Sequence, residues 1–390
     1  MQNIIWSTGH KRRITDIVEA NNCTITDSRG NTYTDLESGV WATSVGHSNP
    51  KVNKVIKSQV DKIAHTGFCY CNPIIEKCAR NILDAANLEG GKCEFLCSGS
   101  EAVEYAMRVA QTISNKPKIL TFTDSYFGAY GTATQKESDN LYLYNWLECT
   151  CNNKSGACSG DCKHFNEIPF DEVGIFLFEP GSSSGLVRFP PVELIDKIIK
   201  RIKSQGGLVV ANEITTGIGR TGKWFGFQHY PIQADIVAMG KGLGNGYPVS
   251  AVAISKEVSR VLEKKQFHYS QSHQNDPLGA SVANEVLNII RDEKLLERCS
   301  RLGNKLLKQL NELQYRYPVI KEVRGRGFMI GIELHHQADQ VFEELFNRGF
   351  LLVKRSYAEV LRMDPALTID ESDLDLFVTT FEKILQKINC

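Results

Sequence analysis

Seven short apolar or aromatic runs alternate with helical patterns through the middle of the chain, and this alternation constrains the fold more than any other feature. The runs are CEFLCSG from Cys93, KILTFTD from Lys118, LYLYNW from Leu141, GIFLFEP from Gly174, GLVVANE from Gly207, IVAMGKG from Ile236 and VSAVAIS from Val249. Several are apolar at nearly every position, as strands covered on both faces must be. Helical spacing separates some of them, with Ala102, Tyr105, Ala106 and Val109 on one face and Leu194, Ile195, Ile198, Ile199 and Ile202 on another. The fold class is therefore α/β, built on a sheet.

After about residue 285 the texture changes. Long charged amphipathic helices around RDEKLLERCSRLGNKLLKQLNELQ give way to short strands (FMIGIEL, FLLVKR) and a closing helix through DLDLFVTTFEKIL. That pattern predicts a smaller α+β domain. In DSRGNTYTDLESG, a turn at Arg29 and Gly30 between polar, alternating flanks predicts a hairpin. The expected division is 1–40 as a segment joining the small domain, 41–285 as the large domain and 286–390 as the small one.

Charge narrows the partners. Lys plus Arg is 45 and Asp plus Glu is 45, so the net charge provides no basic field for nucleic acid or an anionic membrane. No run of about 18 apolar residues is present, and the amino terminus places its apolar cluster before its basic residues, the reverse of a secretory signal. The expectation is a cytoplasmic protein with a small-molecule substrate. Its 12 cysteines are then thiols or metal ligands.

Three constellations carry chemistry. One strand ends in Asn212-Glu213, a turn GIGRTG follows, and a second strand ends in Gly240-Lys241-Gly242. A lysine at the carboxyl end of an apolar strand, between glycines that admit a ligand to the backbone, is placed as a Schiff-base nucleophile, or else is an ordinary exposed strand-end lysine. Upstream, Ser98, Gly99 and Ser100 precede a helix whose first turn holds Glu101, an arrangement that suits either a phosphate or a plain helix cap. Finally, Cys149, Cys151, Cys158 and Cys162, followed by His164, lie in a stretch rich in Gly, Ser, Asn and Lys. That loop has little core of its own; Zn²⁺ or an iron-sulfur cluster would order it, although the spacing is not a standard zinc pattern and redox-active thiols are the alternative. Cys78, on the apolar face of PIIEKCARNIL, is a core residue instead.

From DSRGNTYTDLESGVWATSVGHSNP to LRMDPALTID, and most specifically in NEITTGIGRTGKWFGFQHYPIQADIVAMGKGLGNGYPVSAVAIS, the chain resembles the class III aminotransferases. These are pyridoxal 5'-phosphate enzymes of fold type I, including ornithine, acetylornithine and ω-amino-acid transaminases. The resemblance implies a large domain with a mostly parallel seven-stranded sheet, a smaller α+β domain and a homodimer with shared active sites. It places Lys241 at the internal aldimine position and Gly99 and Ser100 in the phosphate-binding turn. Ser272, in SQSHQNDP, falls where a threonine reaches the phosphate from the neighbouring subunit. Tyr126 falls where an aromatic residue stacks on the pyridine ring, with Phe127 where a histidine is usual. Ile214 and Thr215 follow Asn212 in the cofactor motif. Glu179 matches a glutamate near the active-site mouth, Trp41 a pocket-lining position, and Arg362 an arginine that pairs with a substrate carboxylate.

Two departures from that pattern stand out. Asn212 replaces the aspartate that faces the pyridine nitrogen, and Thr215 replaces a glutamine near the ring hydroxyl. An aspartate holds the ring nitrogen protonated; a neutral amide does not. The cysteine cluster is the second. The implied reaction is amino transfer from an amino acid or amine to a 2-oxo acid, with a racemase or epimerase of the same fold, or a catalytically weakened cofactor-binding protein, as alternatives. A nicotinamide dehydrogenase is disfavoured: Gly217, Gly219 and Gly222 spell G-x-G-x-x-G after a strand, but GKWFGFQHYP has no amphipathic helix to follow it.

Overall fold

The computed structural model describes residues 3–67, 69–148 and 162–388. Its centre is a seven-stranded sheet in the spatial order Lys92–Leu96, Ser250–Ile254, Ile236–Met239, Leu208–Asn212, Val173–Phe178, Lys118–Phe122 and Leu141–Tyr144. The last five pair in parallel, while Ser250–Ile254 runs antiparallel to both neighbours. All seven apolar runs of the sequence are strands of this one sheet.

Burial explains the composition of those runs. Val173–Phe178 is buried at every position because helices cover both faces. Helix Val192–Ser204 buries Leu194, Ile195, Ile198, Ile199 and Ile202, the predicted stripe. Full burial contributes about 1.5–3 kcal/mol for each such side chain. Helix Gly99–Ile113 covers the sheet with Ala102, Val103, Tyr105, Ala106, Met107, Val109 and Ala110. Small residues on that face let the helix axis approach the strands. Cys78 is fully buried, as its position in the apolar stripe implies.

Two smaller sheets flank the large one. Thr24–Asp27 and Thr32–Asp35 form the predicted hairpin, with Gly30 at a φ of 84° in its turn. Ile17–Asn21 extends it on one side and Phe350–Leu351 on the other, the latter in parallel with Thr32–Asp35. The second sheet holds Ile320–Arg326, Met329–Leu334, Val360–Met363 and Val353–Lys354. FLLVKR, which reads as one strand, therefore divides between two sheets around the buried Leu352. The long charged stretch is two helices, Pro277–Asp292 and Leu295–Arg316, separated by Lys294 in a left-handed conformation. Helix Glu371–Ile388 closes the fold. Among the described residues no helix is long and apolar enough to cross a membrane.

GIGRTG is a loop, not a dinucleotide fingerprint. Gly219 and Gly222 take φ values of 85° and 82°, and the next element is the short 3-10 turn Gly226–His229. Glu213 anchors that turn from inside: its carboxylate accepts from the amides of Gly226 and Phe227 at 2.8 and 2.7 Å and from Thr216 Oγ1 at 2.7 Å.

Candidate active site

Parallel strands end in step, so the loops after Val173–Phe178, Leu208–Asn212 and Ile236–Met239 open onto the same edge of the sheet. There they enclose a cavity of about 200 Å³ lined by residues that include Gly99, Ser100, Tyr126, Phe127, Glu179, Asn212, Ile214, Thr215 and Lys241. Nine of the residues singled out in the sequence, scattered from position 99 to 241, thus meet in one place.

The helix start at Gly99–Ile113 forms one wall. Ser98 and Glu101 make a reciprocal capping box: Ser98 Oγ accepts from the Glu101 amide, and the Glu101 carboxylate accepts from the amides of Cys97 and Ser98 at 2.9 Å. The cap therefore consumes Ser98 and leaves the amides of Gly99 and Ser100, at the positive end of the helix, with no acceptor among the described residues. Ser100 Oγ accepts from the Ala129 amide at 2.9 Å and so pins the 126–131 loop to the helix. A Cβ at Gly99 would lie 2.9 Å from Ile214 Cγ2, so only glycine keeps this wall and the opposite one so close.

Asn212 is buried at the floor. Its Nδ2 donates to the Tyr126 carbonyl at 3.0 Å and its Oδ1 accepts from the Ile214 amide at 3.3 Å. The amide plane is thereby fixed, with one Nδ2 hydrogen uncommitted. Thr215 is buried and its Oγ1 has no hydrogen-bond partner among the described residues. Such a hydroxyl inside a cavity calls for a ligand atom. Tyr126 is half exposed at the rim, whereas Phe127 is buried and belongs to the apolar cluster that includes Leu96 and Val103.

Lys241 takes a φ of 43° at the start of a 3-10 turn, a conformation L-residues adopt rarely and functional sites retain. Desolvation pulls its amine down to about 8, with Glu179 opposing and Arg362 reinforcing that shift. The amine is thus readily neutral, as a nucleophile must be. Glu179 is not the solvated strand-end carboxylate that its position permits. It is buried, accepts from Ser183 Oγ at 2.5 Å and the Tyr126 amide at 3.2 Å, and burial pushes it up to about 8.

Arg362 and Trp41 lie beyond these lining residues but bear on Lys241. The Arg362 guanidinium sits 3.6 Å from the Trp41 ring centroid, and Lys241 Nζ is 4.9 Å from the same ring. Arg362 Nε donates to Asp364 Oδ2 at 2.7 Å, while buried Nη1 and Nη2 have no partner among the described residues. Nε thus makes a structural ion pair and leaves the outer edge of the guanidinium spare. Ser272 is exposed on this chain and does not line the cavity. Cys149, Cys151 and Cys158 lie outside the described residues. Cys162 caps the short helix Lys163–Asn166 through its sulfur, and His164 stacks on Tyr144 with Nε2 at 2.9 Å from the Asn145 carbonyl.

Sequence reasoning missed Asp364, Ser183 and Arg220. Asp364 follows Arg362 by two residues, so its strand-face alternation was the available signal. Arg220 is fully buried, its Nη1 bonded to the Pro365 carbonyl and its Nη2 to Ser38 Oγ, and it ties the glycine loop to both ends of the Arg362 neighbourhood.

The residues fit pyridoxal 5'-phosphate: unfilled helix-terminal amides, an orphaned hydroxyl, a fixed amide and a desolvated lysine share one small cavity. Comparison with known proteins agrees. The class-III aminotransferase profile matches residues 5–385. Ornithine aminotransferase 1 of Staphylococcus aureus is 30% identical over 95% of this chain and 94% of its own length. The mitochondrial alanine–glyoxylate aminotransferase 2 of Pongo abelii is 29% identical over 92% of this chain and 79% of its own. Among solved structures, acetylornithine aminotransferase from Elizabethkingia anophelis superposes with a TM-score of 0.84 at 25% identity, covering 98% of this chain and 96% of its own. An S-selective transaminase from Arthrobacter sp. reaches 0.90 at 22% identity over 99% and 96%, a likeness of fold. The chain belongs to the class III aminotransferases and is a pyridoxal-phosphate-dependent transaminase of fold type I.

Proposed function

We propose that this transaminase exchanges an amino group between a carboxylate-bearing donor and a 2-oxo acid, and that Arg362 selects both by their carboxylate. The observation that carries the reading is the uncommitted Nη1 and Nη2 edge of a buried guanidinium held, with Lys241, against one tryptophan ring. A planar fork with two free donors matches a carboxylate bidentately.

The cofactor, when bound, supplies the electron sink that makes the substrate Cα proton acidic. The chain supplies the rest. Gly99 and Ser100 amides would hold its phosphate, Tyr126 would cover its ring, Thr215 Oγ1 would take up its ring hydroxyl and Asn212 would donate to its ring nitrogen. Lys241 would anchor the cofactor through Nζ, and its amine, when free, would be the base that holds and moves the proton at the substrate Cα. Trp41 gives the substrate an apolar wall, and Glu179 balances charge near Lys241.

The same reading makes the functional unit a homodimer in which Ser272 of a second copy reaches the phosphate. A cleft of about 710 Å³ along Tyr70, Asn72, Gln274 and Asn275, next to Ser272, supports it as a seat for that copy. We also propose a division between large and small domains near residues 40 and 285, a cytoplasmic location, and one zinc ion or iron-sulfur cluster on Cys149, Cys151, Cys158 and Cys162. Steady-state turnover of a panel of amino donors, with pyruvate or 2-oxoglutarate as acceptor, tests the substrate class. Amino acids should greatly outperform the corresponding amines lacking a carboxylate; equal turnover of both would sink the reading.

A further inference from the structure

Away from the cofactor cavity, two histidines and an aspartate from separate parts of the chain converge on one point. Nδ1 of His65 lies 2.5 Å from Asp276 Oδ1, and Nδ1 of His273 lies 2.7 Å from Asp276 Oδ2. The two imidazoles are 5.2 Å apart between centroids, and one ligand atom from each of the three residues falls within 4.8 Å of the others. We infer that His65, His273 and Asp276 form a binding site for a divalent transition metal of the zinc class.

Hydrogen bonds hold the scaffold beneath this cluster in place. Asn275 receives the chain in a left-handed conformation; its amide donates to the Phe95 carbonyl at 3.0 Å, its Oδ1 accepts from the Phe95 amide at 2.9 Å and its Nδ2 donates to Glu94 Oε1 at 2.9 Å. The turn carrying His273 is thereby clamped to the edge strand Lys92–Leu96. The His273 amide donates to Gln271 Oε1 at 2.8 Å, and the Leu278 amide to the Ala64 carbonyl at 3.4 Å, which draws the His65 segment to the same corner. Asp276 is the N-cap of helix Pro277–Asp292, yet its side chain makes no capping bond. A carboxylate at an N-cap ordinarily satisfies the helix's own amides. Here it is turned to the two imidazoles instead.

Two neutral imidazoles and one carboxylate suit Zn²⁺, Co²⁺ or Ni²⁺, and three protein ligands leave a fourth position for water. Ligand atoms about 2.0–2.2 Å from a tetrahedral metal lie roughly 3.4 Å from one another. The imidazole–carboxylate pairs must therefore open by less than about 1 Å, with the metal replacing the protons between them. Ser272 immediately precedes His273, so a bound metal would also stiffen the turn that carries it. The metal assignment itself does not depend on where Ser272 points.

The test is calorimetric titration of chelator-treated holoenzyme with Zn²⁺, compared with the double variant His65→Gln/His273→Gln. The wild type should bind one more equivalent per chain than the variant, so any metal on the cysteine-rich segment appears in both and cancels. With Co²⁺, the difference spectrum should show ligand-field bands and no thiolate-to-metal charge transfer. Asp276→Asn keeps the size of the side chain and removes its charge; it should weaken the same equivalent by roughly tenfold or more, which guards against a double variant that folds poorly. Equal stoichiometry in wild type and double variant, or a thiolate signature in the difference spectrum, would overturn the site.

Discussion

Asn212 Nδ2 donates to the carbonyl oxygen of Tyr126 across 3.0 Å, so the residue beneath the cofactor cavity also holds the loop that covers it. An aspartate here would set a carboxylate oxygen against a carbonyl, two acceptors facing each other. Asn212→Asp should therefore lower the thermal stability of the cofactor-free protein, by about 1–3 kcal/mol for the broken pair, readable by calorimetry. Against that, a negative charge at the ring nitrogen favours its protonated form, which a neutral amide does not. With cofactor bound, the variant should lose the substrate Cα proton faster in a single half-reaction. Rapid-mixing spectra with the best donor decide: equal or faster deprotonation in the Asn212 protein would show that the charge argument fails.

Lys241 and Glu179 both titrate near 8 from opposite directions. Burial lowers the lysine from its ordinary 10.5 and raises the glutamate from its ordinary 4.5. For Lys241 the folded protein holds fewer protons than the unfolded chain between about 8 and 10.5, so this group's cost is full below 8 and relieved as pH rises to 10.5. For Glu179 the folded protein holds more protons between 4.5 and about 8, so its contribution to stability falls as pH rises through that window. Capture of free cofactor needs the neutral amine. Its rate, followed by long-wavelength absorbance, should climb with pH to a midpoint near 8. Glu179→Gln removes the charge that raises Lys241 and should move this midpoint down; an upward shift would contradict the coupling.

Lys241→Ala should abolish the long-wavelength band of the purified enzyme, and in the cofactor-free protein it should leave the melting temperature unchanged or higher. The lysine's amine is desolvated, so truncation removes a disfavoured charge, and alanine at a φ of 43° carries no more backbone strain than lysine does. A retained band would place the covalent link elsewhere.

The sheet was legible because a strand buried on both faces has no polar position to disguise it, and Val173–Phe178 shows the limit of that rule. Helix Val192–Ser204 was legible because its stripe of leucine and isoleucine is unbroken. FLLVKR was not, since nothing local tells a continuous apolar run that its two halves will pair with different sheets. At the site, Lys241 announced itself through its glycine-flanked strand end and Asn212 through the family pattern. The burial of Glu179 was hidden: its partner Ser183 stands in an ordinary loop sequence, and only the folded loop turns that hydroxyl back. Likewise the spare edge of Arg362 depends on Asp364 taking Nε, a contact that strand alternation permits but does not require.

That division of labour within Arg362 sets the last prediction. Nε is committed to Asp364 at 2.7 Å, and both residues are buried, so deleting the arginine would strand a carboxylate whose burial already raises its pKa. Breaking a buried pair in this way costs about 3–5 kcal/mol, and Arg362→Ala would confuse unfolding with lost recognition. Arg362→Lys keeps a positive charge for Asp364 and removes the fork. It should fold, and it should raise KM for amino-acid donors by roughly 10- to 100-fold, since a hydrogen bond to a charged group contributes about 1.5–3 kcal/mol. Donors without a carboxylate never engage the fork, so their KM should hardly change. Steady-state kinetics on matched pairs of amino acid and amine measure both. A parallel rise in the two KM values would mean that Arg362 only shapes the fold and that the carboxylate is recognised elsewhere.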